Sequence, residues 1–156
     1  MIDLRRHQGP ILSFLESGLA RFRRQHPDAP LGHVALYCCP WSGWVSLCLD
    51  RAAQLDQNCP DFEYAEFALY EANTWTEAYE TEDPLTIVTA SGVNIELDLD
   101  STGDEALNAV FFDFLRELLA DSSATHALRA AAGGGLRIGV QLLDSEFNEA
   151  WGLSVE

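Results

Sequence analysis

Helical and strand patterns follow one another in mixed order along this chain, the strands come as hairpins, and 47% of its 156 residues are hydrophobic. Together these observations predict one α+β domain spanning residues 1–156, a mainly antiparallel sheet with helices packed against it. No internal repeat or low-complexity linker divides the chain. Its length is enough to bury a core without staples.

The elements are read in order. Pro10 suits the first turn of a helix running to about Arg24, with Ile11, Phe14, Leu15, Gly18, Leu19 and Phe22 on one stripe. Arg21, Arg23 and Arg24 fall in its last turn, where cations suit the helix dipole. His33–Cys38 and Trp44–Leu49 form a strand pair around the turn Cys39-Pro40-Trp41-Ser42-Gly43. Arg51–Asn58 fits a short helix and Phe62–Tyr70 a strand. Asn73 or Thr74 caps a helix that ends at Glu82, before Pro84. Leu85–Thr89 and Val93–Leu99 make a second hairpin around Ser91-Gly92. Val93, Ile95, Leu97 and Leu99 face one way, and Asn94, Glu96, Asp98 and Asp100 the other. Thr102 and Glu105 match a capping box, opening a helix to about Ala120 with Leu107, Val110, Phe111, Phe114, Leu115 and Leu118 inward. A helix over Ser123–Ala132 stops at Gly133-Gly134-Gly135. Leu136–Leu143 reads as the final strand and Ser145–Ala150 as a terminal helical turn.

Charge is the unusual feature. Twenty-five acids oppose nine basic residues, for a net charge of −16. All nine bases are Arg, so a Schiff-base lysine and a phosphate-loop lysine are both excluded. From Met1 to Tyr37 five Arg outnumber three acids, whereas Ala52–Leu115 holds 15 acids and no Arg, Lys or His. Such a chain is repelled by nucleic-acid phosphates and anionic lipid and attracted to basic proteins. The N-terminal stretch lacks the form of a secretory signal, and no run approaches a membrane span. The expected compartment is therefore the cytoplasm, with Cys38, Cys39, Cys48 and Cys59 as reduced thiols.

Motifs for chemistry are sparse. Asp98-Leu-Asp100-Ser-Thr102-Gly103 imitates the start of a calcium loop, but Ala109 stands where the bidentate Glu belongs. The cysteines lack CxxC spacing for zinc. Cys59, before Pro60, is the best candidate nucleophile, with His126 as its base if the two meet; a buried structural Cys is the plainer reading. The triple glycine follows a helix and precedes a strand, the reverse of a dinucleotide loop. No metal, cofactor or catalytic residue is expected.

Among Trp41, Trp44, Trp75 and Trp151, Trp44 fits a core position and Trp41 a turn. Trp75 stands among Glu71, Glu77, Glu80, Glu82 and Asp83. An aromatic anchor ringed by carboxylates suits an interface with an Arg- and Lys-rich protein, although a core position explains the same ring. The expected partner face joins Glu71, Trp75, Glu77, Tyr79, Glu80, Glu82 and Asp83 to Glu96, Asp98 and Asp100 on the polar side of the second hairpin, with Asp104 just beyond.

Three segments also carry a family resemblance: Ala35-Leu-Tyr37-Cys after a leading helix, Trp75-Thr-Glu-Ala-Tyr79-Glu80 in the middle, and Val140-Gln-Leu-Leu-Asp144-Ser-Glu-Phe-Asn148 near the end. In this arrangement the chain resembles bacterial immunity-like proteins encoded beside polymorphic toxins. It departs from their pattern at Cys38, where an aromatic is expected. The resemblance implies an α+β fold, no enzymatic activity and direct masking of a cognate toxin. The expectation is thus a non-enzymatic acidic inhibitor of a basic toxin or effector domain. The alternatives are a DNA mimic that blocks a nucleic-acid enzyme, as in anti-restriction or anti-CRISPR action, and a small enzyme.

Overall fold

The computed structural model describes residues 1–53, 58–132 and 134–153. A 21-residue helix, α1 (Arg5–Gln25), follows the two-residue strand β1 (Ile2–Asp3). It starts earlier than Pro10 predicts. The Asp3 carboxylate accepts the Arg5 backbone N–H at 3.2 Å and organises the first turn, leaving Pro10 inside the helix. Its buried stripe is Ile11, Leu15, Gly18, Leu19 and Phe22.

Strands β2 (His33–Cys39) and β3 (Trp44–Asp50) form the expected antiparallel pair. They are central in a five-stranded sheet of order β4-β3-β2-β7-β8, with β4 at Tyr64–Glu71, β7 at Leu136–Leu142 and β8 at Asn148–Leu153. Strands β2 and β7 run parallel. Every residue of β2 is buried because both faces of the sheet are covered. Val34, Leu36, Cys38, Val45, Leu47 and Leu49 meet the helices in the main core. Ala35, Tyr37 and Cys48 turn the other way, onto Cys59 and Phe62. The adjacent Cys38 and Cys39 therefore belong to opposite faces, as strand alternation requires.

The second hairpin does not join this sheet. Strands β5 (Leu85–Val88) and β6 (Asn94–Leu97) pair with each other, and β5 takes β1 as a parallel neighbour, giving a separate sheet of order β1-β5-β6. The strand is shorter than its alternation suggests. Gly92 at φ 87° turns the chain, leaving Val93 exposed, and Asp98 already caps the next helix.

That helix, α3 (Leu99–Ala120), corrects the predicted capping box. Asp98 accepts the Ser101 N–H at 3.3 Å, and the Thr102 hydroxyl donates to the Asp98 carbonyl at 2.8 Å rather than capping a new helix. A carboxylate four residues upstream thus displaces Thr102 as the cap. Gly103, at φ 61° and ψ −166°, then breaks the first turn before the main helix proceeds. Leu107, Phe111, Phe114, Leu115 and Leu118 point inward as expected, joined by Asn108 and Leu119, while Val110 is half-buried. Helix α4 (Ser122–Ala131) is capped by Asp121, which accepts the Ser123 N–H at 2.7 Å.

One further expectation fails. Ser145–Ala150 is no helical turn. Asp144, at φ 51°, reverses the chain, Leu142 N–H reaches Phe147 carbonyl at 2.9 Å, and Asn148–Leu153 returns antiparallel to β7 as β8. The middle of the expected helix Arg51–Asn58, residues 54–57, lies outside the described residues.

Helix α2 (Asn73–Thr81) forms where expected, but neither Asn73 nor Thr74 caps it. Ala72 is the cap residue, clipped to the β2–β3 turn through its N–H to the Gly43 carbonyl at 2.6 Å. Gly43 sits at φ 68°, and a Cβ there would stand 2.5 Å from the Ala72 carbonyl oxygen. Gly43→Ala is therefore expected to cost on the order of 2 kcal/mol, through backbone strain and the clash. Urea denaturation checks it; a loss below about 0.5 kcal/mol would show that the clip is dispensable.

Candidate functional site

The hairpin register sets Leu85 opposite Leu97, so the chain entering β5 lies beside the chain leaving β6. Glu82 and Asp83 enter there; Asp98 and Asp100 leave. The Tyr79 hydroxyl donates to Asp104 at 2.8 Å, tying the last part of α2 to the start of α3. Three segments thus converge at the open end of the small sheet. Glu77, Glu80, Asp83, Glu96, Asp98, Asp100, Asp104 and Glu105 are exposed, and Glu82 is half-buried and pairs with the amino terminus. Asp104 beside the phenol, followed by partial burial, raises the Tyr79 pKa.

The sequence-predicted face is rearranged in three ways. Glu96 alone of its strand acids lies on a strand; Asp98 is a helix cap and Asp100 lies in the first turn of α3. Glu71 stands at the end of β4 opposite Trp44, at the far end of α2 from Glu82. Trp75 is not at the surface. It is 0% exposed, with its ring centroid 4.7 Å from Phe111 and 4.9 Å from His7. The helical period carries Ala72, Trp75 and Ala78 to the core and Glu77 and Glu80 to solvent, so sequence neighbours part company. Tyr79 is the aromatic that stays at the face.

An apolar recess lies toward the turn end of the same hairpin. Leu4, Ile95, Val110 and Phe114 line a cleft of about 350 Å³ between the hairpin and α3, with Asp113 and Glu117 also on its wall. Exposed Val93 stands beside it. Nothing in the strand alternation announces this cleft, because it needs the β6–α3 packing.

A second constellation lies on the opposite face of the large sheet. Cys48, Ser46 and Tyr37 project there from β3 and β2, and Cys59 meets them from a short 3-10 turn (Cys59–Asp61). The Cys59 N–H donates to the Gln141 side-chain oxygen at 3.1 Å. Asp50 holds the same segment, accepting the N–H groups of Ala52 at 2.7 Å and Glu63 at 3.2 Å. Opposite Cys48 the β3–β4 register slips, so Ala65, Glu66 and Phe67 of β4 face one residue of β3. Glu66 takes φ 50° in this bulge, opposite Cys48. Bulges of this kind re-aim groups and often border functional sites.

The expected meeting of Cys59 with His126 does not occur. His126 is exposed on α4, which packs on the helical side, whereas Cys59 belongs to the far side. Among the described residues no three His, Cys, Asp or Glu side chains converge as a metal site, and none of the described helices is long and apolar enough to cross a membrane. Comparison with protein-family models, curated proteins and solved structures finds no match to this chain.

Proposed function

We propose that this protein is an acidic binding protein that docks a basic protein domain on the face built from the end of α2, the open end of the β5–β6 hairpin and the start of α3. The observation that carries the reading is the convergence there of exposed carboxylates from three segments of a chain stretch without a single basic residue. Such a field accelerates encounter with a cationic partner and discriminates against acidic ones. Affinity also needs an apolar anchor. Trp75 does not supply it. The cleft at the turn end of the hairpin, beside Val93 and Ile95, is the recess that receives one from a partner spanning the hairpin, while Tyr79, held by Asp104, meets it at the acidic end. The finer proposal, which rests on the sequence resemblance, is immunity-type neutralisation of a cognate toxin.

The test is capture from the native host with the purified protein immobilised, followed by association and dissociation rates for the captured partner. The triple variant Glu77→Arg, Glu80→Arg, Asp83→Arg is expected to slow association by roughly tenfold at low salt. The deficit should shrink once ionic strength brings the screening length below about 10 Å. Val93→Asp is expected mainly to speed dissociation. A partner bound equally well by the folded triple variant removes the proposed face. Co-expression then tests the finer reading: the captured partner should arrest growth alone and not beside this protein.

A further inference from the structure

The far-face thiols carry an inference independent of the acidic face. Cys48 and Cys59 line one cavity of about 290 Å³ with Tyr37, Pro60, Ala65 and Glu66. Both are buried in one cluster with Ala35, Tyr37 and Phe62, close enough for each thiol to shift the other's proton affinity. The Ser46 oxygen stands 3.6 Å from the Cys48 sulfur. The Glu66 backbone bulges beside it in a conformation that non-glycine residues rarely adopt. Across the sheet Cys48 neighbours Ala35, and Ala35 neighbours Gly139.

We propose that Cys48 and Cys59 form a reactive dithiol site for small neutral hydroperoxides, with Cys48 the attacking sulfur and Cys59 the resolving one. A second thiol, a hydroxyl and a bulged backbone around one sulfur suit a thiolate better than a packed thiol. They hold Cys48 below the ordinary thiol range against the cost of burial, Cys59 contributing most. Cys59 moves the opposite way, because donating to Cys48 and burial both retain its proton. The exposed Glu66 at the cavity wall disfavours anionic oxidants.

The chemistry balances without a cofactor. The Cys48 thiolate attacks the terminal oxygen of the hydroperoxide. The O–O bond breaks, and the departing alkoxide takes a proton to leave as alcohol, or as water from hydrogen peroxide. The resulting Cys48 sulfenic acid is attacked by the Cys59 sulfur. The S–O bond breaks, water leaves with the Cys59 proton, and a disulfide remains. Two thiols are oxidised by two electrons while one hydroperoxide is reduced.

Cys38 and Cys39 are internal controls. Cys38 is buried on the helical side with its thiol pushed well up by burial, and Cys39 is also raised. The reduced full chain is exposed to a small excess of hydrogen peroxide, quenched, denatured, alkylated and peptide-mapped. Expected are the loss of two of the four thiols, a mass decrease of about 2 Da, and a Cys48–Cys59 disulfide forming at least about tenfold faster than any oxidation of Cys38 or Cys39. In Cys59→Ser, Cys48 should carry a sulfenic acid that a cyclic dicarbonyl reagent captures; Cys59→Ala serves if the serine variant does not fold. Four surviving thiols, a disulfide between other pairs, or equal oxidation of Cys39 overturns the proposal. The wild-type map alone suffices for that decision, and none of these outcomes depends on the acidic face.

Discussion

Trp75→Ala is expected to lower the unfolding free energy by about 4 kcal/mol, the range for truncating a fully buried large aromatic. The ring is 0% exposed and sits edge-on to Phe111 and His7, with Tyr70 at 6.3 Å. It joins α2 to α1, β4 and α3 at once, so no single element can shift to refill the cavity. The cost at this chain length corresponds to a fall in melting temperature of roughly 10 °C or more. Urea unfolding measures it, with an unchanged slope showing that the variant keeps the native compactness. Trp75→Phe should retain about half of the loss, since it keeps an aromatic partner for Phe111 and its predecessor's Nε1 finds no hydrogen-bond partner among the described residues. A change under about 1 kcal/mol for the alanine variant would mean that the ring is not in the core. Any binding defect of a folded Trp75 variant would then return this residue to the partner face.

The same residue marks where sequence reading stops. Trp75 stands beside five carboxylates in the chain, and only the helical phase of α2 separates it from them in space. Where a period was long and clean, reading succeeded: the stripe of α3 from Leu107 to Leu118, and the β2–β3 hairpin around Gly43. It failed where two local signals competed. Thr102 has the form of a cap, but the Asp98 carboxylate upstream takes that role. It failed also at β8, where Asn148-Glu-Ala-Trp151-Gly-Leu153 lacks alternation and becomes a strand because β7 presents an open edge. The acidic face was legible as composition; its shape was not, since the Tyr79–Asp104 bond and the β6–α3 cleft join elements far apart in sequence. The thiol site was least legible. Cys59 was recognised as a candidate, but its neighbour is set by strand register and a bulge, and no motif encodes either.

A second large effect is expected from pH, through His33. This ring is 0% exposed, between Asp50 and Arg137 in the sheet register, and neither of its nitrogens has a hydrogen-bond partner among the described residues. Burial, followed by the Arg137 charge, lowers its pKa from 6.5 to about 4, with Asp50 opposing weakly. The native state therefore requires the neutral ring. As pH falls from about 6.5 to about 4 the unfolded chain takes up a proton that the folded one refuses, so stability present above 6.5 is lost across this window. One fully expressed shift of this size is worth about 3 kcal/mol. His7, also lowered by burial, acts in the same direction. The many exposed carboxylates act the other way at the acid end, because their protonation relieves repulsion in a chain of charge −16. The measurement is therefore the difference between wild type and His33→Leu, in urea, at several pH values from 7.5 to 4 (chosen to bracket the window). Leucine fills a similar volume without orphaned nitrogens. The variant is expected to match or exceed wild type at pH 7.5 and to gain about 3 kcal/mol on it by pH 4. Parallel pH profiles for the two proteins would show that His33 reaches a proton partner when folded, and that the far face is open to water.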